Sequence, residues 1–200
     1  APNFVAGAVE VGSTLFEVPY FGRKAYLTQS WQLYAEAAMP ALERLYTIAP
    51  SFRAEKSRTR RHLTEFWHAE MEIAWADNND VMDHGEALVR HIARTLLTER
   101  PAELESLGRD LGTIRRFADS DFPRIRYDEA IERLKTKGVE IEWGQDLDYS
   151  KEKILTADFD VPHFLTHYPK VAKPFYHRQD PVNPDSVSYT HLTLPTIKRV

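Results

Sequence analysis

Between Ser51 and Trp75 the chain alternates apolar and polar residues around a block of positive charge. That pattern restricts the region to a two-stranded antiparallel hairpin. From Glu65 onward, Trp67, Ala69, Met71, Ile73 and Trp75 fall on one side and Phe66, His68, Glu70 and Glu72 on the other. This predicts a strand with one buried face. The preceding segment sets Phe52 and Ala54 against Ser51, Arg53 and Glu55. Pairing the two, with Lys56 to Thr64 as the loop, gathers Arg53, Glu55, Phe66, His68, Glu70 and Glu72 on one face. So many ionisable groups on one face are costly unless the face is wet or filled by a ligand. An arginine, a glutamate and a basic loop suit a polyanion such as ATP. An ordinary solvated hairpin also accounts for the pattern, and a basic loop alone is usually a solvated charge run.

The rest of the composition sets bounds. The chain has 200 residues with 42% hydrophobic content, enough for one core and a prior of one domain. Its net charge of −4 is unlike the overall basic footprint of dedicated nucleic-acid binders. Contact with RNA is therefore left to local patches, the Lys56 to His62 loop first. There is no cysteine, which excludes disulfides, thiol catalysis and cysteine zinc sites. No stretch approaches the roughly 20 apolar residues of a membrane span. The first residues lack the basic start and apolar core of a signal peptide. A soluble cytoplasmic protein with no membrane or DNA partner is the expectation.

Both ends look cut. The chain starts without methionine, and Val187-Ser-Tyr-Thr-His-Leu-Thr-Leu-Pro-Thr196 back-translates into a string that looks like a transposase-end adapter. Residues 187–200 are therefore expected to be a non-native tail on a partial domain of residues 1–186. A native edge strand is the competing reading, because Tyr189 and the Leu192/Leu194 pair are strand-like.

Along the chain, Thr14 to Phe21 and Lys24 to Thr28 read as a hairpin about Gly22-Arg23. Gln32 to Ile48 reads as a helix with Leu33, Ala37, Ala41, Leu45 and Ile48 on one stripe, kinked by Pro40. Asn78-Asn79-Asp80 is positioned to cap a long helix continued by Val81, Leu88, Ile92 and Thr95 and broken at Arg100-Pro101. A second helix is expected to carry Leu104, Leu107, Leu111, Ile114 and Phe117. Arg124 to Tyr127 reads as a strand and Asp128 to Lys137 as a helix closed by Gly138. Val139, Ile141 and Trp143 alternate as a further strand, and Asp160 to Tyr168 is extended between prolines. Strands in runs, flanked by helices, favour an α+β fold with an antiparallel sheet. His163 and His167 fall on one strand edge, where a structural role is favoured over a metal pair.

The Ser51–Phe66 string resembles motif 2 of the class II aminoacyl-tRNA synthetases, in the form used by the aspartyl, asparaginyl and lysyl subgroup. Ala1-Pro2 through Phe16 is similar to the end of motif 1 and the loop after it. Tyr20 to Tyr34 resembles the amino-acid-binding strand and its helix, and Phe122–Tyr127, Trp143–Leu147 and His167–Tyr176 continue the order. The resemblance spans Pro2 to about Asp185. It implies an incomplete catalytic core lacking motif 3 and the family's magnesium-binding Glu-x-x-Ser element. It further implies that Arg53 binds the α-phosphate and the amino-acid carboxylate, that Glu55 contacts the adenine edge or the terminal tRNA adenosine, that His62 reaches the γ-phosphate and that Phe66 stacks on adenine. Lys56, Ser57, Arg58 and Arg60 would meet the tRNA acceptor end. Glu10, Gln29, Glu70 and Tyr176 would bind the amino acid. ATP, Mg2+ and a homodimer of the full-length protein are implied in the same way.

The amino acid is the sharper question. In the aspartyl branch the segment matching Gln29-Ser-Trp-Gln-Leu-Tyr34 is followed by a lysine that neutralises the substrate carboxylate; here Ala35 follows. A buried aspartate side chain without its counter-charge is penalised by several kcal/mol. A carboxamide has no such need, and Glu70 can accept from its nitrogen. Asparagine is the expected substrate. Aspartate–tRNA ligation, a free-standing asparagine synthetase of the same fold and a non-catalytic nucleotide- or RNA-binding paralogue are the alternatives.

Overall fold

Phe21 and Gly22 form the first fixed point of the fold, both with positive φ (43° and 77°). Two such residues in succession give the tight turn whose twist matches that of the strands it joins. The turn pairs Tyr20 with Arg23, so it lies one residue earlier than the Gly22-Arg23 expectation. The computed structural model describes residues 2–7, 14–55 and 63–194. These fall into two units, Ala1–Ala76 and Asp77–Val200.

In the first unit, β1 (Phe4–Val5), β2 (Glu17–Tyr20) and β3 (Arg23–Leu27) form an antiparallel sheet of order β1-β3-β2. Helix α1 (Gln32–Leu42) follows. It ends well before Ile48, two residues after Pro40, where Glu43 turns to φ 56°. Leu45 and Ile48 therefore lie on a strand, β4 (Arg44–Phe52), which pairs over its full length with β5 (Glu65–Ile73). The helical stripe fails there because Leu45-Tyr46-Thr47-Ile48 also carries a strand alternation. A nine-residue ladder with β5 outweighs the local helical preference.

The hairpin forms, with its first strand ending at Phe52 rather than Glu55, but its apolar side is the more exposed one. Tyr46, Ile48 and Trp67 are 78%, 62% and 72% exposed, whereas Phe66, His68, Glu70 and Glu72 are all partly covered. Trp75 has left the strand, with φ 64° and its side chain in solvent.

The second unit contains the hydrophobic clusters found among the described residues. Helix α2 (Asn78–Glu99) is capped by Asp77, whose carboxylate accepts from Asn79 N and Asp80 N, while Asp80 accepts from Asp77 N. This is a capping box set one residue earlier than expected. Val81, Leu88 and Ile92 face outward, and α2 buries Met82 and Ala93 instead. The single helix expected beyond Pro101 is two, α3 (Pro101–Ser106) and α4 (Leu111–Asp119). Gly108, at φ 63°, separates them in a conformation that side-chain-bearing residues avoid. Leu104, Ile114 and Phe117 pack with Ala93 and Ala118, and Leu107 stays exposed.

Next come β6 (Arg124–Arg126), α5 (Tyr127–Thr136), α6 (Tyr149–Thr156), β7 (His163–Pro169), a 3-10 turn (Lys170–Ala172) and β8 (Ser186–Thr193). β6 pairs parallel to β7 and β8 antiparallel to it, so the α+β sheet expectation holds with one parallel pair. Ile125, Tyr127, Leu134, Leu155 and Leu165 form the main core. Val139 to Trp143 is not a strand. Val139 N instead closes back on Leu134 O at 3.1 Å behind Gly138, and Ile141 reaches the core from an irregular backbone. Residues 187–193 of the tail segment lie in β8 and take the edge-strand conformation their alternation favours, which bears on their backbone and not on their origin; residues 195–200 lie outside the described residues.

Candidate functional site

The site is built on the covered face of the β4–β5 hairpin. Register places Ser51 opposite Phe66, Ala49 opposite His68, Thr47 opposite Glu70 and Leu45 opposite Glu72. Arg53 extends the ladder by donating its backbone N–H to Thr64 O at 2.9 Å, and its guanidinium lies 5.5 Å from the centre of the Phe66 ring. A cation over an aromatic face is a favourable electrostatic contact. Here it holds a planar donor group beside a flat apolar ring, the two surfaces that a nucleotide phosphate and base require. Glu55 is exposed beyond the strand end.

Glu70 is the most constrained acid on this face. Helix α1 has no side-chain cap at Trp31 and no acidic residue in its first turn, so its N-terminal N–H groups need an acceptor from elsewhere. Glu70 supplies it from β5. Trp31 N donates to both carboxylate oxygens (3.2 and 3.1 Å), and the Ser30 hydroxyl donates to Oε1. His68 Nδ1 lies 3.5 Å from Glu70 Oε2 and 3.3 Å from Ser51 Oγ. A carboxylate at the positive end of a helix is favoured by the macrodipole. Burial, with Glu36 and Glu70 nearby, raises the pKa of Glu72 above its ordinary value.

Gln29 stands at the junction of β3 and α1, and the chain there is stitched to the hairpin by Phe52 N donating to Thr28 O at 2.9 Å. Its side chain is fully buried, yet neither its amide nitrogen nor its amide oxygen has a hydrogen-bond partner among the described residues. A buried amide left unpaired in this way costs free energy, and a polar ligand would satisfy it. Ala35, on helix α1, is also fully buried, so the position that the resemblance compares with a lysine holds only a methyl group.

The hairpin thus brings Arg53 to Phe66, and α1 brings Glu70 to the residues following Gln29. Tyr176 lies in the second unit, 60% exposed, with Phe175 and His177 rings at 5.7 and 4.9 Å. Glu10, Lys56, Ser57, Arg58, Arg60 and His62 lie outside the described residues. The sequence reading assigned no role to Ser30 or His68. Ser30 had a usable signal, a serine just ahead of a helix start. His68 had none beyond its side of the strand. The second unit also has a cleft of about 570 Å³ along α2, but Arg90 there is paired with Glu86 and Asp121, and Arg124 with Asp83.

Residues 1–195 match the family model described as tRNA synthetases class II (D, K and N). The chain belongs to that family. It is 51% identical over 194 residues to the asparagine–tRNA ligase of Thermococcus gammatolerans, covering 97% of this chain and 45% of that one. The solved asparaginyl-tRNA synthetase of Pyrococcus horikoshii complexed with asparaginyl-adenylate superimposes with a TM-score of 0.91 at 50% identity, over 98% of this chain and 45% of that one. The Entamoeba histolytica asparaginyl-tRNA synthetase in complex with asparaginyl-adenylate gives 0.84 at 31% identity, over 98% and 43%. The chain therefore spans under half the length of these relatives.

Proposed function

We propose that this chain is part of the adenylate-forming core of an asparagine–tRNA ligase. The observation that carries the reading is the pairing of Glu70 with Ala35. One is a carboxylate pinned on the site face, and the other a buried alanine where a cation would be needed for a substrate carboxylate. An aspartate side chain would meet like charge without compensation. The carboxamide of asparagine instead offers Glu70 an N–H. The same point counts against an aspartate–tRNA ligase and against a free-standing synthetase that amidates aspartate.

In the reaction, an oxygen of the asparagine carboxylate attacks the α-phosphorus of ATP. The bond to the bridging oxygen breaks, pyrophosphate leaves, and asparaginyl-adenylate forms. A hydroxyl of the tRNA terminal adenosine then displaces AMP. No enzyme-bound covalent intermediate is needed, so catalysis consists of positioning and electrostatic stabilisation. Arg53 bridges the carboxylate and the α-phosphate with its fork of donors while negative charge builds between them. Phe66 supports the adenine, Glu55 its edge or the terminal adenosine, and His62 the γ-phosphate. Lys56, Ser57, Arg58 and Arg60 receive the acceptor end. Glu10 holds the ammonium group, Gln29 offers its unpaired amide to the amino acid, and Tyr176 adds a further contact.

Mg2+ would neutralise phosphate charge when bound. By the family resemblance we assign its ligands to a Glu-x-x-Ser element downstream of these residues. We also assign the full-length enzyme to a cytoplasmic homodimer, residues 1–186 to its partial catalytic domain and residues 187–200 to a non-native tail.

The test is charging of tRNA with asparagine by the full-length protein, together with its Arg53→Ala variant. Loss of one transition-state donor lowers kcat by about 10²–10³-fold. The 200-residue chain alone is expected to give no robust asparagine-dependent ATP–pyrophosphate exchange. Unimpaired charging by Arg53→Ala would overturn the role of Arg53, and strong exchange by residues 1–186 would overturn their reading as an incomplete core.

A further inference from the structure

Ser30 sits at a crossing of three polar contacts that the amino-acid site does not itself require. Its hydroxyl donates to Glu70 Oε1 and accepts from Gln32 N at 3.0 Å. Its carbonyl accepts from Thr28 Oγ1 at 2.9 Å. Ser30 and Thr28 are almost fully buried, so water is not at hand to replace these bonds. A hydroxyl has one proton and two acceptor lone pairs. With Gln32 N filling a lone pair, the proton is directed at Glu70. The carboxylate is thereby held from two sides, by the Ser30 hydroxyl and by the Trp31 backbone N–H.

We propose that Ser30 is the positioning residue that aims Glu70 at the substrate carboxamide, and so sets discrimination between asparagine and aspartate without touching the substrate. This rests on the reading of Glu70 given above. Without the hydroxyl, Glu70 keeps the Trp31 N–H and the longer 3.5 Å contact to His68 Nδ1, and its terminal torsion, which is broad and weakly restrained, loses its shortest anchor. The ground-state contact to asparagine and the repulsion of aspartate then weaken together, while Arg53 and the nucleotide contacts stay in place.

The experiment compares the full-length enzyme with its Ser30→Ala, Ser30→Thr and Glu70→Gln variants in ATP–pyrophosphate exchange, with asparagine and with aspartate. For Ser30→Ala the KM for asparagine should rise about tenfold or more, the scale of one hydrogen bond to a charged group. The ratio of kcat/KM for asparagine over aspartate should fall in step, with kcat and the KM for ATP changed far less. Ser30→Thr keeps the hydroxyl and should restore most of the discrimination. A merely structural serine would lower Tm and kcat and leave the asparagine KM and the ratio alone, and that result overturns the proposal. If Glu70→Gln collapses discrimination while Ser30→Ala does not, Ser30 alone is misassigned. If Glu70→Gln leaves discrimination intact, the reading of Glu70 falls and the Ser30 proposal falls with it. Should Ser30→Ala fail to fold, Ser30→Cys, a weak donor of similar size, puts the same question.

Discussion

The two units solve the problem of burial in opposite ways. In Asp77–Val200 the interior is mostly apolar. Tyr127, Leu134 and Leu165 are almost completely enclosed, and buried polar side chains such as His163, Thr166 and Ser186 are outnumbered there by apolar ones. Among the described residues of Ala1–Ala76 the buried apolar side chains are Val5 and Ala35, alongside Thr28, Gln29, Ser30 and Ser51. Its large apolar residues, Tyr46, Ile48, Trp67 and Trp75, are exposed. The candidate site therefore lies in the unit with the weaker core of its own. Its polar side chains are enclosed where a self-sufficient domain would place leucines, which is where local folding rules give way to function.

Separating the units breaks this comparison most severely. Residues 77–200 expressed alone should give a cooperative thermal transition, because the clusters that stabilise them are internal. Residues 1–76 alone should show none and should bind a hydrophobic dye. Independent folding of the first unit would refute the contrast.

Truncation of one side chain from each unit is a smaller step. Leu134→Ala removes a fully enclosed side chain and should cost about 2–5 kcal/mol in urea denaturation. Trp67→Ala, on the exposed face of β5, should stay within about 0.5 kcal/mol. Equal losses would mean that the hairpin face is buried in solution.

Acid should act on the units with opposite sign, and this is the smallest effect. His163 is buried against Phe159 with ring centres 4.1 Å apart, and burial, with His191 and Arg133 nearby, lowers its pKa from 6.5 to about 4. Between those values the unfolded state binds the proton that the folded state refuses. Its contribution to stability is full above about 6.5 and is lost as the pH falls towards 4. Glu72 is shifted upward by burial, so its contribution runs the other way. Stability is favoured below its ordinary 4.5 and is lost as the pH rises through the raised value. Amide exchange followed from pH 7 to 4 should show the second unit loosening, and His163→Phe should flatten that trend. An unchanged slope in the variant would assign it to another group.

The hairpin and its second strand could be read from alternation, because a two-residue period is local and survives any context. The end of α1 could not, since Leu45 and Ile48 satisfy a helical stripe as well as a strand, and only pairing with β5 decides between them. The outward turn of Leu88 and Ile92 was hidden for a similar reason. The helix stripe that packs is fixed by its neighbours, and α2 turns Ala93 to α4 instead. At the site, Arg53 and Phe66 were visible as residue types in a pattern. The tie from Glu70 to α1 spans some forty positions and leaves no local signature.

The most direct test of the central claim is ATP–pyrophosphate exchange by the full-length protein, with asparagine and aspartate measured side by side. The account predicts exchange with asparagine and little or none with aspartate, because it proposes Glu70 as the acceptor for the carboxamide and Ala35 supplies no counter-charge. Exchange with aspartate equal to or above that with asparagine would contradict it.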